Sequence, residues 1–277
     1  MSGFSGYNPE IEDRAFLSSL PSGNPLLAMA GTYEEIKLDP RELIKVENQK
    51  SQGACLGHSL SSILEWCGTI ATGGKFTELS RAMAYYETQR IDGINGDRGA
   101  TVSGGVKLAL LTGLCEESIW QYPSVYNPAR PANYVGVLAN AAKHKAGRAI
   151  KIRTYDEYRI FVGSGQGGVS NGIAWDGSMS KAVIESFQVG SRSGGHAIAG
   201  LCLSERVDSQ ARPYVWILNS WSESFGSQVH PGWMEWSPAA ISQMLSHQWT
   251  EMVGISDMPS QKPRKFSLED WKQGLRT

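Results

Sequence analysis

Hydrophobic residues in the first half of the chain recur with the spacing of helices. The apolar positions from Leu56 to Ile70 are mostly three or four residues apart, which places them on one face of a helix that begins at Cys55. Segments 79–91 and 106–111 are further helix candidates, and Gly113 lies where a C-terminal cap belongs. The pattern predicts a mostly helical lobe over about residues 50–125.

After about residue 148 the apolar runs become short and bounded by turn residues, a pattern typical of strands. Four such runs cover residues 149–153, 168–175, 197–203 and 214–218. Segments 156–162 and 179–187 are helix candidates between them. Ser237-Pro238 is expected to open a last helix, as N-cap and first-turn residue, with a core face made by Ile241, Met244, Leu245 and Trp249. The pattern predicts a β-rich lobe over about residues 148–255.

The two ends of the chain differ from the segment between them. Residues 1–40 hold Gly, Pro and Ser clusters with little periodicity, and we expect an N-terminal extension that lies as a short strap across the body. Residues 259–277 form a polar C-terminal tail with a basic cluster at Lys262 and a possible capped turn at Ser267. A cluster this short is typical of a solvated surface. The folded domain is expected over residues 41–258.

Charge and composition give no reason to expect nucleic acid or a membrane as a partner. The net charge is −1 with 41% hydrophobic and 19% charged residues, so no general electrostatic attraction to nucleic acid or an anionic membrane is expected. No apolar run approaches the ~18 residues of a membrane span, and the first residues do not follow the pattern of a secretory signal. We expect a cytoplasmic protein, or one within a viral or bacterial assembly.

The four cysteines are widely spaced and show no metal-binding pattern. We therefore expect no zinc site, no other cofactor and no reliance on disulfides. Cys67 and Cys202 lie in apolar stretches, which favours buried structural thiols.

Cys55 is the candidate nucleophile, because it lies where a loop meets a helix. The positive end of the helix dipole favours the thiolate there, whereas the simpler interpretation is a small buried residue. Gln49, six residues upstream, offers a side-chain amide that could join the Cys55 N–H in holding an oxyanion.

His196 is the candidate base, 141 residues after Cys55, behind two glycines and before an apolar run. His58 is the one serious rival, but three residues along a helix its side chain diverges from a thiol at the cap. Asn219 ends a predicted strand in the tripeptide Asn-Ser-Trp and could orient the imidazole. By itself it would be interpreted as a turn residue.

These residues together resemble the papain-like cysteine peptidases over about residues 45–255. The family orders Cys, His and Asn in this way, places its oxyanion glutamine at the same spacing, and has a later Gly-Trp pair, here Gly232-Trp233. A glycine-containing loop at 96–101, a helix and a Trp/Tyr-Pro segment at 120–123 match bacterial and viral relatives.

The resemblance implies an α+β, two-lobe fold with the active site in the cleft between a helical lobe that carries Cys55 and a β-rich lobe that carries His196 and Asn219. It also implies roles for the remaining candidates: Gln49 in the oxyanion hole, and Gly99, Gly195 and Trp221 in substrate binding, Trp221 by shielding the His–Asn bond. A glycine that starts a turn is an equal interpretation of Gly99.

Three features depart from the family. Gln52 replaces the usual cysteine three residues before the nucleophile, and Leu56 replaces the usual aromatic residue after it. Asn219 follows His196 by 23 residues, a longer interval than usual, which a surface loop at 204–213 would absorb. None of these changes removes a reacting group.

The expected function is a cysteine-type peptidase that acts on a peptide or protein substrate. An amidase, isopeptidase or transpeptidase would use the same triad. A structural or interaction protein of a bacterial or phage assembly is the alternative outside enzymes. The extension and the tail are candidate surfaces for a protein partner.

Overall fold

The computed structural model describes residues 6–22, 38–187 and 194–256. The C-terminal tail, with the basic cluster at Lys262 and the turn predicted at Ser267, lies outside the described residues. Within the described ranges no helix is long and apolar enough to cross a membrane.

Helices dominate the first half of the chain, as predicted. Over the described residues of the whole chain, the helices are Arg14–Ser19, Pro40–Leu43, Cys55–Ala71, Arg81–Asp92, Val102–Leu111, Tyr134–Ala141, Tyr155–Gly163 and Pro238–Leu245, with short 3-10 turns at Ala142–His144 and Gly177–Met179. Side-chain caps fix several starts: Ser80 accepts a hydrogen bond from Met83 N, and Ser237 accepts one from Ala240 N. Gly113, at a φ of 82°, follows Val102–Leu111 as the predicted cap residue.

Within the described part of the second half, seven strands form one sheet. They are β1 (Arg148–Lys151), β2 (Gly167–Trp175), β3 (Val183–Ile184), β4 (Gly194–Val207), β5 (Pro213–Leu218), β6 (Trp233–Trp236) and β7 (Glu251–Ser256). Their order is β1-β7-β2-β4-β5-β6-β3, antiparallel throughout except for the parallel pair β3–β6.

Both faces of the sheet are covered, and this positions the site. Alternate residues of β4 point to opposite faces: Ala197 and Ala199 belong to the core around helix Cys55–Ala71, while Ile198 belongs to the core on the other face. The long helix, fully buried over most of its length, thus packs against the strand that carries His196.

Three sequence predictions about elements are wrong. Segment 179–187 is no helix, because Val183–Ile184 pairs with β6 as a strand. The last helix ends at Leu245, so Trp249 is not part of its core face. The insertion at 204–213 lengthens the β4–β5 hairpin, in which Val207 pairs with Pro213, so only a tight turn projects as a loop.

The described part of the N-terminal extension, residues 6–22, lies across both lobes. Tyr7 forms a parallel bridge with Ala100 in the helical lobe, and Ser22 forms one with Lys151 in the β-rich lobe. Leu17, between these bridges, is buried. We name residues 6–22 the strap.

Candidate active site

Cys55 begins the central helix and faces the strand that carries His196. Its Sγ accepts a hydrogen bond from Ala197 N at 3.2 Å, and the residue is 0% exposed. The preceding loop is tied down because Gly53 N donates to Asp97 Oδ1 at 2.8 Å, and Asp97 also accepts from the Tyr85 hydroxyl. The structure therefore places the candidate nucleophile and the candidate base on adjoining elements.

His196 and Asn219 form a hydrogen-bonded pair, with Nε2 of the imidazole 2.9 Å from Oδ1 of the amide. Ser220 N, which can only donate, also bonds Asn219 Oδ1 at 2.8 Å, and this fixes which end of the amide is the oxygen. Since that oxygen accepts, Nε2 carries the proton in the neutral ring. Nδ1 is left as the nitrogen able to take a proton.

Aromatic rings cover the His–Asn pair. Trp221 stacks on His196 with centroids 4.7 Å apart and an interplanar angle of 24°. Trp175, at the end of β2, packs edge-on against both His196 and Trp221. Sequence reasoning found Trp221 but missed Trp175; its one signal was its place at the end of a predicted strand. The rings restrict the access of water to the hydrogen bond.

Gln49 is buried beside the Asn219 segment. Its main-chain N donates to Ser220 O at 2.8 Å, and its side-chain Oε1 accepts from Ser220 Oγ at 2.6 Å. One side-chain N–H is used by Gln52 O at 2.9 Å, and the amide retains a second N–H. The loop carrying Gln49 is thus braced against the strand end that carries Asn219.

The two replaced family residues have structural partners. Gln52 donates to Pro123 O at 2.7 Å and accepts from the Tyr86 hydroxyl at 2.9 Å. These bonds hold the loop before Cys55, at the position where the sequence resemblance would place a cysteine. Leu56 is buried and faces Gly105, so its aliphatic side chain packs against helix Val102–Leu111.

The strap covers the thiol. A Cβ placed on Gly6 would lie 2.5 Å from Cys55 Sγ and 2.7 Å from Gly53 O, closer than side-chain carbons approach. The main chain of the strap therefore lies directly against the Cys55 thiol, and the sequence carries no signal for this contact. In the conformation described, the thiol of Cys55 is covered by the strap.

Burial sets the protonation of the pair in this conformation. Loss of solvent raises the pKa of Cys55 to about 12, against the opposing effect of main-chain N–H groups. Burial also lowers the pKa of His196 to about 4, although the bond to Asn219 opposes the shift. Both shifts favour the neutral thiol and the neutral imidazole beneath the strap, in opposition to the helix dipole, which favours the thiolate.

The predicted substrate residues lie along the strap. Gly99 adopts a φ of 78°, and its N–H and C=O are used internally by Tyr85 and Gln89. Its neighbour Ala100 makes the main-chain pairing with the strap. Gly195 O accepts from Tyr7 N at 3.4 Å. The structure thus brings Gly195 and the Gly99–Ala100 loop to the same stretch of peptide.

His58, the rival base, is occupied elsewhere. Its Nδ1 lies 3.0 Å from Ala54 O, so this nitrogen carries the proton. Burial lowers the pKa of the ring to about 3. His58 lines a cavity of about 10 Å³ with Ser59 and Asn219, enough room for one water molecule. Its Nε2 has no hydrogen-bond partner among the described residues.

Among the described residues, no group of three or more His, Cys, Asp or Glu side chains could hold a metal ion. Within these ranges Cys55, Cys67 and Cys115 are buried, and Cys202 is half-buried.

Comparison with known proteins identifies the fold. A scan against protein-family models finds no match, and neither does a search of curated proteins. Solved structures do match. Xylellain, a cysteine protease from Xylella fastidiosa, has 19% identity and a TM-score of 0.68 over 93% of this chain and 97% of its own.

Two plant proteins are similar as well. The ragweed pollen allergen Amb a 11, a cysteine protease in its proform, has 18% identity and a TM-score of 0.66, covering 92% of this chain and 75% of its own. Bromelain from Ananas comosus, in complex with E64, has 14% identity and a TM-score of 0.60 over 81% of this chain and 100% of its own. The α+β, two-lobe papain-like fold predicted from the sequence is confirmed.

Proposed function

We propose that the protein is a cysteine-type peptidase with Cys55 as nucleophile and His196 as base and acid. The observation that carries the proposal is the His196–Asn219 hydrogen bond of 2.9 Å, stacked under Trp221 and adjoining Cys55. In a papain-like fold this set holds an attacking atom, a base of fixed tautomer and a group that orients it.

The chemistry follows from the proton positions. Nδ1 of His196 takes the Cys55 proton, and Sγ attacks the carbonyl carbon of the peptide bond. The oxyanion is held by Cys55 N–H and the second amide N–H of Gln49. His196 then protonates the leaving amine, and the bond to nitrogen breaks. Water, deprotonated by the same imidazole, hydrolyses the thioester and restores the thiol.

The test compares the unchanged chain with three variants in peptide-library cleavage. Cys55→Ala and His196→Ala are expected to bring turnover below detection, because nucleophile and base act as a unit. Asn219→Ala is expected to retain a reduced remainder, since orientation is partly replaceable. Full activity in His196→Ala would remove that residue as base. Hydrolysis is distinguished from transpeptidation by adding an amine acceptor and identifying the products by mass spectrometry.

One observation favours a non-enzymatic alternative: the strap lies on the nucleophile. An epoxide thiol inhibitor distinguishes the two. A peptidase is labelled at Cys55 once Gly6→Ala forces the strap from the thiol. A scaffold whose thiol is inert remains unlabelled at Cys55 in that variant, and cleaves no peptide.

A further inference from the structure

The side chain of Tyr7 fills a closed pocket next to the nucleophile. Tyr7 is 0% exposed, and the residue before it, Gly6, is the one that lies against Cys55 Sγ. A peptide with its reacting carbonyl at the thiol would therefore present a nearby side chain to the same pocket.

The main chain around Tyr7 is held as an added strand. Ala100 N donates to Gly6 O at 3.1 Å, and Asn8 N donates to Ala100 O at 3.0 Å. These two bonds bracket Tyr7 and direct its side chain inward. Ala100 belongs to the body of the protein, so its N–H and C=O are available to any extended peptide that replaces the strap.

The walls of the pocket leave room for a flat ring. A Cβ on Gly172, in β2, would lie 2.8 Å from Tyr7 Cε2 and Cζ, and 2.7 Å from Val102 Cγ2. A Cβ on Gly195 would lie 3.2 Å from Tyr7 Cδ1. Any side chain at Gly172 would occupy the space of the ring, so the glycine sets the size of what the pocket accepts.

The end of the pocket offers a hydrogen-bond acceptor. The Tyr7 hydroxyl donates to the main-chain carbonyl oxygen of Trp249 at 3.1 Å. Glu12 also interacts with the phenol, but Glu12 is part of the strap, whereas the Trp249 carbonyl belongs to the β-rich lobe. A phenol would still find this acceptor after the strap is displaced. A phenylalanine would bury the carbonyl oxygen without a donor, and an aliphatic side chain would also leave space unfilled.

We infer that this pocket is a substrate side-chain pocket selective for tyrosine, which the strap fills with its own Tyr7. The inference rests on the proposed peptidase function. It assigns the specificity to Gly172, which makes room for the ring, and to the Trp249 carbonyl oxygen, which accepts from the hydroxyl.

The test uses the full chain with Gly6→Ala and Tyr7→Ala combined, so that the pocket is emptied. Peptides carrying Tyr, Phe, Leu or Ala at each position in turn are assayed for kcat/KM. We expect tyrosine to be preferred at one position close to the cleaved bond, by about tenfold over phenylalanine, the value of one hydrogen bond to an otherwise unpaired acceptor.

Gly172→Ala in the same background is the specificity variant. We expect the ratio of kcat/KM for tyrosine to that for alanine to fall about tenfold or more. Both kcat/KM values are measured on the same variant, so a change in the fraction of molecules with an open strap affects them equally and cancels in their ratio. Gly68→Ala is the control, because a Cβ there meets nothing within 4 Å and it lies roughly 20 Å along the helix from Cys55. Its ratio is expected to match the parent.

Failure of the inference is separable from failure of the peptidase proposal. Cleavage without a tyrosine preference, or an unchanged ratio in Gly172→Ala, overturns the pocket assignment while peptidase activity stands. If no peptide is cleaved, the preference of the pocket is measured with tyrosyl and phenylalanyl chloromethyl ketones. The rates at which the two reagents alkylate Cys55 are compared. Equal rates for the two reagents overturn the inference as well. If the double variant unfolds, as circular dichroism would show, the same reagents are compared on Gly6→Ala.

Discussion

Two features of the fold have opposite effects on the pKa of the Cys55 thiol. The start of a helix stabilises a thiolate, whereas complete burial beneath Gly6 favours the neutral thiol. Burial dominates, with the pKa raised to about 12. The helix dipole is worth about 1 kcal/mol at most in exposed settings, while removing a charge from water costs several kcal/mol. We therefore expect the strap to govern the reactivity of Cys55.

Alkylation of Cys55 should report this control directly. With the pKa near 12, about one thiol in 10⁵ is ionised at pH 7, and the rate should rise with pH across the accessible range. Gly6→Ala brings a Cβ against Sγ, so the strap should leave, the pKa should fall, and the rate curve should shift to lower pH. Iodoacetamide labelling followed by mass spectrometry from pH 5 to 10 measures both curves.

The half-buried Cys202 provides the internal control, since its labelling should be the same in both proteins. Identical Cys55 rate curves in the unchanged chain and in Gly6→Ala would show that the strap does not control the thiol.

Gln49 combines a proposed catalytic role with a bracing role. Gln49→Ala removes an oxyanion donor, so we expect kcat to fall about 10²–10³-fold with little change in KM. The matched variant is Ser220→Ala, which removes the hydroxyl that bonds Gln49 Oε1 and leaves the amide N–H groups. Its kcat should fall less than tenfold. Both are assayed well below the unfolding temperature of each variant, and a kcat unchanged in Gln49→Ala would exclude Gln49 from the mechanism.

The reacting residues were accessible to sequence reasoning because each stands at a marked position on its own element: Cys55 at a helix start, His196 in a strand, Asn219 at a strand end. The residues that cover them were not. The contact of Gly6 with Cys55 joins distant segments through the main chain, and main-chain pairing leaves no residue signature. The pKa of Cys55 depends on the same cover, because burial beneath Gly6 opposes the effect of the helix start.

Among the elements, the strap docks through a second anchor besides Tyr7. The carboxylate of Glu12 accepts from Val102 N at 3.0 Å and from Ser103 N at 2.7 Å. These are the first N–H groups of helix Val102–Leu111, where the helix dipole favours negative charge. The strap thus caps the helix that follows the cleft loop.

Glu12→Ala should therefore loosen the strap and raise the activity of the full chain. Loss of two charge-assisted hydrogen bonds weakens docking by about 1–3 kcal/mol, and apparent substrate affinity scales with the open fraction. We expect kcat/KM to increase about 5- to 100-fold. Glu10→Gln, at an exposed strap position, is the control and should match the unchanged chain. An activity in Glu12→Ala no higher than that of the control would contradict a covering role.

Long periodic elements were predictable and short buried ones were not. Helix Cys55–Ala71 shows a continuous apolar face, and β2, β4 and β5 were recognised within a few residues. Strand β6 has four residues, all buried, so it shows no alternation. Helix Tyr134–Ala141 buries only two residues, so its apolar face is too narrow to detect. For β3, pairing with β6 outweighed a local pattern that suggested a helix.

At the scale of the whole molecule, a buried ion pair fastens the helical lobe. Arg81 Nη2 lies 2.9 Å from Glu65 Oε1, with side chains 1% and 0% exposed. Glu65 Oε1 also accepts from Leu79 N at 2.8 Å, and Arg81 Nη1 donates to Leu79 O at 3.0 Å. The pair joins helix Cys55–Ala71 to helix Arg81–Asp92, and thus supports the elements on which the cleft is built.

Removing one partner should destabilise the protein without altering its chemistry. Arg81→Met leaves Glu65 buried and unpaired, which costs about 3–5 kcal/mol, or a fall in Tm of roughly 6–20 °C for a domain of this size. The added change Glu65→Leu removes the stranded charge, so the double variant should recover most of the loss. Asp156→Asn, which breaks the exposed pair with Arg159, should change stability by less than about 1 kcal/mol.

Thermal unfolding measures the stability of each protein. The rate of Cys55 alkylation at 25 °C reports whether the surroundings of the thiol have changed. Glu65 lies ten residues after Cys55 on the same helix, about 15 Å along its axis, so the alkylation rate should be the same in all four proteins while they remain folded. If the double variant is as unstable as Arg81→Met, the uncompensated charge of Glu65 is not the cause of the loss. The contribution of the pair would then come from its hydrogen bonds to Leu79. A changed alkylation rate in folded Arg81→Met would show that the ion pair also positions the start of the helix that carries the nucleophile.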